Sequence, residues 1–282
     1  MNITLIGFLL GMLLLALPLA VMHRYGLRIS TGRALSAIVR MVVYVGIVGG
    51  AMYTLQKHGG VGMSLLFVLV LIVLSSVTAI LRSRLSLRVM FVPVTAAVAV
   101  SVVVTGVWLL LAAFGTGALV SPRFFLPVAG ILSGVTITVC ADSLSAYYDG
   151  LRHHNQLYFY LLGNGATHAE ALDAFVRRAL EKAVVPGLSQ MATMVVGTSP
   201  VIMWTVVMCG SGALEAAAFQ LLVMAAVFCA SVLSVLLAVT LTRRYMFDEY
   251  SRLKPLRGNV RKEVPATRED TARDADVPEE ED

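Results

Sequence analysis

The stretch "GMSLLFVLVLIVLSSVTAIL", residues 62–81, carries no charged side chain and decides the class of fold. A helix rises about 1.5 Å per residue, so a run of this length bridges a hydrocarbon core about 30 Å thick. Six further runs of the same character lie near residues 3–22, 40–56, 90–113, 124–147, 186–208 and 215–241. Lipid offers no hydrogen-bond partner to a bare backbone, so such runs are helices. The expected fold is all-α: a polytopic membrane protein of about seven transmembrane helices.

Composition agrees. Of the 282 residues, 58% are hydrophobic and 14% are charged, and the mean hydropathy is +0.82. Soluble domains average about 45–50% apolar and about 25% charged. The first run follows "MNIT", which has no basic segment, and no A-x-A site comes after it. It reads as a retained helix rather than a cleaved leader.

Basic residues orient the chain. The loops with Arg24, Arg28, Arg33 and Arg40, with Arg82, Arg84 and Arg88, and with Arg152, Arg177, Arg178 and Lys182 hold eleven, against Lys57 and Arg123 on the opposite side. The positive-inside rule then places the N-terminus outside and the C-terminus in the cytoplasm, as for a multi-pass protein of the cytoplasmic (inner) membrane. A net charge of +5 follows from such loops and does not point to nucleic acid. Cys140, Cys209 and Cys229 lie in or beside apolar runs, so no structural disulfide is expected.

Residues 26–39, "GLRISTGRALSAIV", mix polar and apolar positions and read as a short amphipathic helix on the membrane surface between the first two spans. Residues 248–282 are basic first and acidic last, with little to bury, and read as a disordered cytoplasmic tail. Residues 1–247 form the membrane domain.

One polar segment stands apart, about 149–185. "GNG" at 163–165 ends any helix coming from the fifth span. Thr167 to Glu170 then reads T-x-x-E, a capping box that opens a new helix. Ala171, Leu172, Phe175, Val176, Ala179 and Leu180 recur at helical spacing, leaving Asp173, Arg177, Arg178, Glu181 and Lys182 on the other face. Pro186 marks a kink or the handover to the sixth span. A stiff, capped helix on the cytoplasmic side suits a docking lever better than a linker.

The chain holds no G-x-x-x-x-G-K-[ST], H-E-x-x-H, G-x-S-x-G or C-x-x-C motif, so it is not expected to be an enzyme, and neither a cofactor nor a metal site is assigned. His153 and His154 are adjacent and point about 100° apart on a helix, which does not suit joint ligation. Polar and soft side chains inside the apolar runs mark a candidate translocation path: Gln190, Met191, Met194 and Met203 in the sixth run, and Cys140 and Asp142 in the fifth. The competing readings are an interfacial, solvated Asp142, a Gln190 that joins helices, and methionines that fill space.

Several segments carry a resemblance: "VGIVGGAMYTL" after Arg40, "FLPVAGILSG" at 125–134, "GATHAEALDAFVRRALEKAVVP" at 165–186, "AAAFQLLVM" at 216–224, and the spacing from Pro186 through Pro200 to Gln220. From about Arg40 to Phe247 the chain resembles the FetB (YbbM) permeases of bacterial iron-export ABC transporters, whose membrane fold is shared by plant aluminium-tolerance proteins. The resemblance implies a homodimeric permease in the lipid bilayer, driven by a separate ABC ATPase subunit and exporting iron, another metal ion or a small solute. It also implies that Gly165, Ala166, Thr167, Glu170 and Ala171 lie where the ATPase couples. The chain departs from the family pattern at "GILSGVTI" (130–137), with Val135 and Ile137 at the usual Asn and Met positions, and at "PVIMWT" (200–205), where Trp204 replaces a small residue. No acidic residue precedes the G-A-T piece in "QLYFYLLGNGAT" (156–167). A self-contained secondary transporter or channel, or a non-transporting membrane scaffold, are the alternative readings.

Overall fold

The computed structural model describes residues 31–58, 60–119, 121–194 and 200–246. All the regular elements among them are helical: α1 Thr31–His58, α2 Val61–Arg82, α3 Leu87–Phe114, a 3₁₀ turn at Thr116–Leu119, α4 Pro122–His153, α5 Asn155–Gly163, α6 His168–Ala192, α7 Val201–Met208 and α8 Ala213–Met246. Five stretches are long and apolar enough to cross a membrane: Leu35–Leu55, Val61–Arg82, Leu87–Phe114, Phe124–His153 and Ala213–Met246. The polytopic all-α fold stands. The apolar run at 3–22 and the tail at 248–282 lie outside the described residues.

Two expectations need correction. Residues 186–208 are not one spanning helix: α6 stops at Ala192 and α7 begins at Val201. α6 runs through Pro186 without interruption, because a proline removes one backbone donor yet keeps a helical φ. It ends where the Met194 N–H turns back to the Met191 carbonyl at 3.4 Å and the Thr193 hydroxyl bonds the Ser189 carbonyl at 2.7 Å. Likewise, "GLRISTGRALSAIV" is not a separate surface helix over its described part. From Thr31 onward it is the first part of α1, which continues to His58, so helical propensity carries the chain past Arg40.

Four hydroxyls in the apolar helices are satisfied locally, whereas Thr95 Oγ1 and Ser143 Oγ are buried without a partner. Thr78, Thr105, Ser133 and Thr242 each donate to the carbonyl four residues back, at 2.7, 2.6, 2.7 and 2.7 Å respectively. A hydroxyl so bonded costs little to bury.

The chain divides into two compact units. One comprises the chain up to Val73 with Ala99–Val135 and Val185–Ala230; the other comprises Leu74–Val98, Thr136–Val184 and the chain from Ser231. In the first unit Phe114 stacks on Phe124 at 4.4 Å between ring centroids and tilts against Phe219 at 5.5 Å, joining α3, α4 and α8. Gly187 of α6 meets α8 so closely that a Cβ would stand 2.7 Å from the Phe228 ring. In the second unit Cys140 of α4 donates to the Ser234 hydroxyl of α8 at 3.4 Å, and a Cβ on Gly150 of α4 would lie 3.4 Å from the Phe175 ring of α6.

Gly187→Ala is therefore expected to destabilise the protein by about 1–3 kcal/mol despite the better helix propensity of alanine, because the Phe228 ring must shift. Thermal unfolding in detergent measures this, and the double change Gly187→Ala with Phe228→Leu should recover most of the loss.

Candidate functional site

The polar segment between α4 and α7 begins with α5. Its C-terminus is closed by two crossed bonds: the Gly165 N–H reaches the Leu162 carbonyl at 3.1 Å and the Ala166 N–H reaches the Leu161 carbonyl at 3.1 Å. This motif needs a left-handed residue between them, and Gly165 sits at φ +88°.

Two residues later the capping box is formed. The Thr167 N–H donates to Glu170 Oε2 at 2.8 Å, the Glu170 N–H donates to Thr167 Oγ1 at 3.4 Å, and the Ala171 N–H donates to the Thr167 carbonyl at 3.0 Å. The bond from the Thr167 backbone, followed by the one from its side chain, holds the Glu170 carboxyl below its ordinary range. Of the five expected coupling residues, Gly165, Thr167 and Glu170 are exposed, Ala166 is half-buried and Ala171 is buried.

The apolar face of α6 as far as Ala183 is used inside the second unit. Ala171, Leu172, Phe175, Val176, Ala179 and Ala183 are buried, Leu180 is half-buried, and Phe175 fills the space left by Gly150. Asp173, Arg177, Arg178, Glu181 and Lys182 are exposed, with one Arg177–Glu181 pair at 3.4 Å. A pair so exposed stabilises little. What α6 presents outward is a mixed-charge surface.

Sequence reasoning missed a cluster beneath this segment. Tyr158 of α5 is 1% exposed, and its Oη lies 2.8 Å from Nδ1 of His168, the first residue of α6; the two rings meet edge to face at 5.9 Å. Burial first, and then the Arg243 charge from α8, lower the His168 pKa below its ordinary value. Nearby, Tyr147 of α4 is buried beside Arg243 of α8. Nothing in the spacing of these residues announces their meeting, since they come from four different helices.

The candidate path residues fall in two groups. Gln190, Met191 and Met194 cluster at the end of α6, Gln190 exposed and the two methionines half-buried, while Met203 is half-buried in α7; all four belong to the first unit. Cys140 is buried and Asp142 exposed in the second. Among the described residues no three His, Cys, Asp or Glu side chains gather as a metal site would need. The Met203 N–H donates to Oε1 of Gln220 in α8 at 3.0 Å, another partnership invisible to local pattern.

The cap carries a pH signature. Both Glu170 and His168 have folded values below their ordinary ones, so each contributes stability that is fully present above its ordinary range and is lost as pH falls through the lowered value. The thermal midpoint should drop as pH is lowered from about 7 to about 4. Thr167→Ala should cost about 1 kcal/mol at neutral pH and flatten the acidic part of that profile.

With this geometry in hand, the comparisons with known proteins are informative. The family model described as "Uncharacterised protein family (UPF0014)" matches residues 5–247. The chain is 27% identical over 226 residues to Protein ALUMINUM SENSITIVE 3 of Arabidopsis thaliana, covering 78% of this chain and 81% of that one. It is 26% identical over 227 residues to UPF0014 membrane protein STAR2 of Oryza sativa subsp. japonica, covering 80% and 77%. A 22% identity over 133 residues links it to UPF0014 membrane protein slr1647 of Synechocystis, covering 47% and 51%. No solved structure matches. The match over nearly the whole membrane region shows that this chain belongs to the UPF0014 family of membrane proteins.

Proposed function

We propose that the chain is the permease subunit of an ABC-type exporter, a homodimer in the cytoplasmic membrane that moves iron or another metal ion and is driven by a separate ATPase docking at the start of α6. One observation carries this reading: α6 is a single capped helix whose apolar face is already buried within the second unit as far as Ala183, so its charged face is free for a partner. A surface helix lying on lipid would expose the opposite face. The resemblance to the FetB permeases adds the ATPase and the metal. A relative named ALUMINUM SENSITIVE 3 also supports a metal as cargo.

In this reading ATP hydrolysis takes place on the partner. Closure of two ATPases pushes on Thr167 and the charged face of α6, and the helix, continuous through Pro186 to Ala192, passes the push to Gln190 and Met191. Access to a path lined by those residues, Met194 and Met203 then alternates between the two sides.

The interruption between Ala192 and Val201 favours a second reading, a self-contained secondary transporter, because discontinuous helices mark ion sites in that class. ATP dependence separates the two. Metal uptake into inside-out vesicles that requires ATP and the partner supports the ABC reading; uptake driven by an ion gradient alone supports the other.

Two outcomes are expected. Arg178→Glu with Lys182→Glu should abolish co-purification with the ATPase while changing thermal stability by no more than about 0.5 kcal/mol, because both positions are exposed. Deleting the gene should raise the cell's content of the exported metal and its sensitivity to metal-dependent oxidants. Elemental analysis across first-row ions checks this, and unchanged content would remove the metal from the account.

A further inference from the structure

α7 has an unusual beginning. Its N-cap is Pro200, which makes no side-chain cap bond, and the Pro200 carbonyl takes the Trp204 N–H at 3.0 Å. The amides of Val201, Ile202 and Met203 come before the first intrahelical bond, so each needs an acceptor from elsewhere. For Met203 that acceptor is Gln220 Oε1 at 3.0 Å, reaching across from α8. Gln220 is only 5% exposed and stands within a helix otherwise apolar enough to cross a membrane.

The far end of α7 is closed with equal care. The Gly210 N–H reaches the Val207 carbonyl at 2.9 Å and the Ser211 N–H reaches the Val206 carbonyl at 3.3 Å, with Gly210 at φ +96°. Thr205 Oγ1 lies 2.9 Å from both the Val201 and Ile202 carbonyls. The last turn of the short helix is thus closed on itself, and Gln220 ties its first turn to α8. A buried carboxamide in apolar surroundings is costly unless it is bonded, and so is an unmet amide.

We propose that Gln220 is the positioning residue of the translocation path: by accepting the Met203 N–H it fixes the first turn of α7 on α8 and so sets where the Met203 side chain stands. This inference rests on the reading of Met203 as a path residue. Gln220 itself need not touch the transported species. Its oxygen is what matters, so a carboxylate or carboxylic acid of the same reach can replace it and an alkyl side chain cannot.

The test uses the full chain in membranes with its ATPase and does not depend on knowing the cargo. Cys140, Cys209 and Cys229 are changed to Ala and Met203→Cys serves as a reporter, labelled with a charged, membrane-impermeant thiol reagent. With Gln220 in place the reporter should react. In Gln220→Leu the unmet amide should fray the first turn towards water and raise the labelling rate by about fivefold or more, whereas Gln220→Glu should stay within about twofold of the parent. An unchanged or lower rate in Gln220→Leu, or an equal rise in Gln220→Glu, overturns the positioning role. If Gln220→Leu does not insert, Gln220→Asn, which keeps the amide but shortens its reach, is held to the same criterion. A reporter that never reacts while an Asp173→Cys control does overturns the path reading itself, and the inference with it.

Discussion

The requirement that every backbone donor and acceptor find a partner inside the chain governs this molecule. In hydrocarbon an unmet amide or carbonyl costs several kcal/mol, so long helices are the default, and each departure from a helix must bring its own partners. The hydroxyls of Thr78, Thr105, Ser133 and Thr242 meet this demand by folding back on their own helices. Where the helix stops between Ala192 and Val201, the demand falls on the flanks: Thr193 and Met194 turn back on α6, and Gln220 reaches across to α7.

The same rule explains why the polar segment is so well defined. α5 closes through Gly165 and α6 opens through Thr167 and Glu170, so the two facing ends are satisfied within a few residues. Stiffness follows, since neither end frays into a floppy connection. Packing of Phe175 against Gly150 seats α6 at its first turns, and Gly187 lets it approach α8 near its end. A helix closed in this way is stiff, which is the mechanical property a coupling element needs.

What was legible in the sequence divides along the range of the interactions. The apolar runs and the T-x-x-E box are signals over one helical turn or one helix, and the structure reproduces the box and five of the runs as helices. Misreadings came where hydropathy continues across a change in backbone. Residues 186–208 are uniformly apolar enough to look like one span, yet the helix passes through Pro186, the residue that looked like its boundary, and ends before Pro200. Residues 31–39 look amphipathic, yet nothing there stops a helix. Contacts such as Met203 with Gln220, Gly187 with Phe228 and Tyr158 with His168 depend on packing between helices, which no local pattern encodes.

The central claim is that α6 meets the ATPase through its capped start and charged face. Hydrogen–deuterium exchange of the membrane-embedded chain, recorded alone and with the nucleotide-bound ATPase, tests it most directly. The account predicts that slowed exchange on binding concentrates in residues 164–183, with the amides around Thr167 and Glu170 protected first. Protection that appears elsewhere on the chain and leaves those residues unchanged would contradict it.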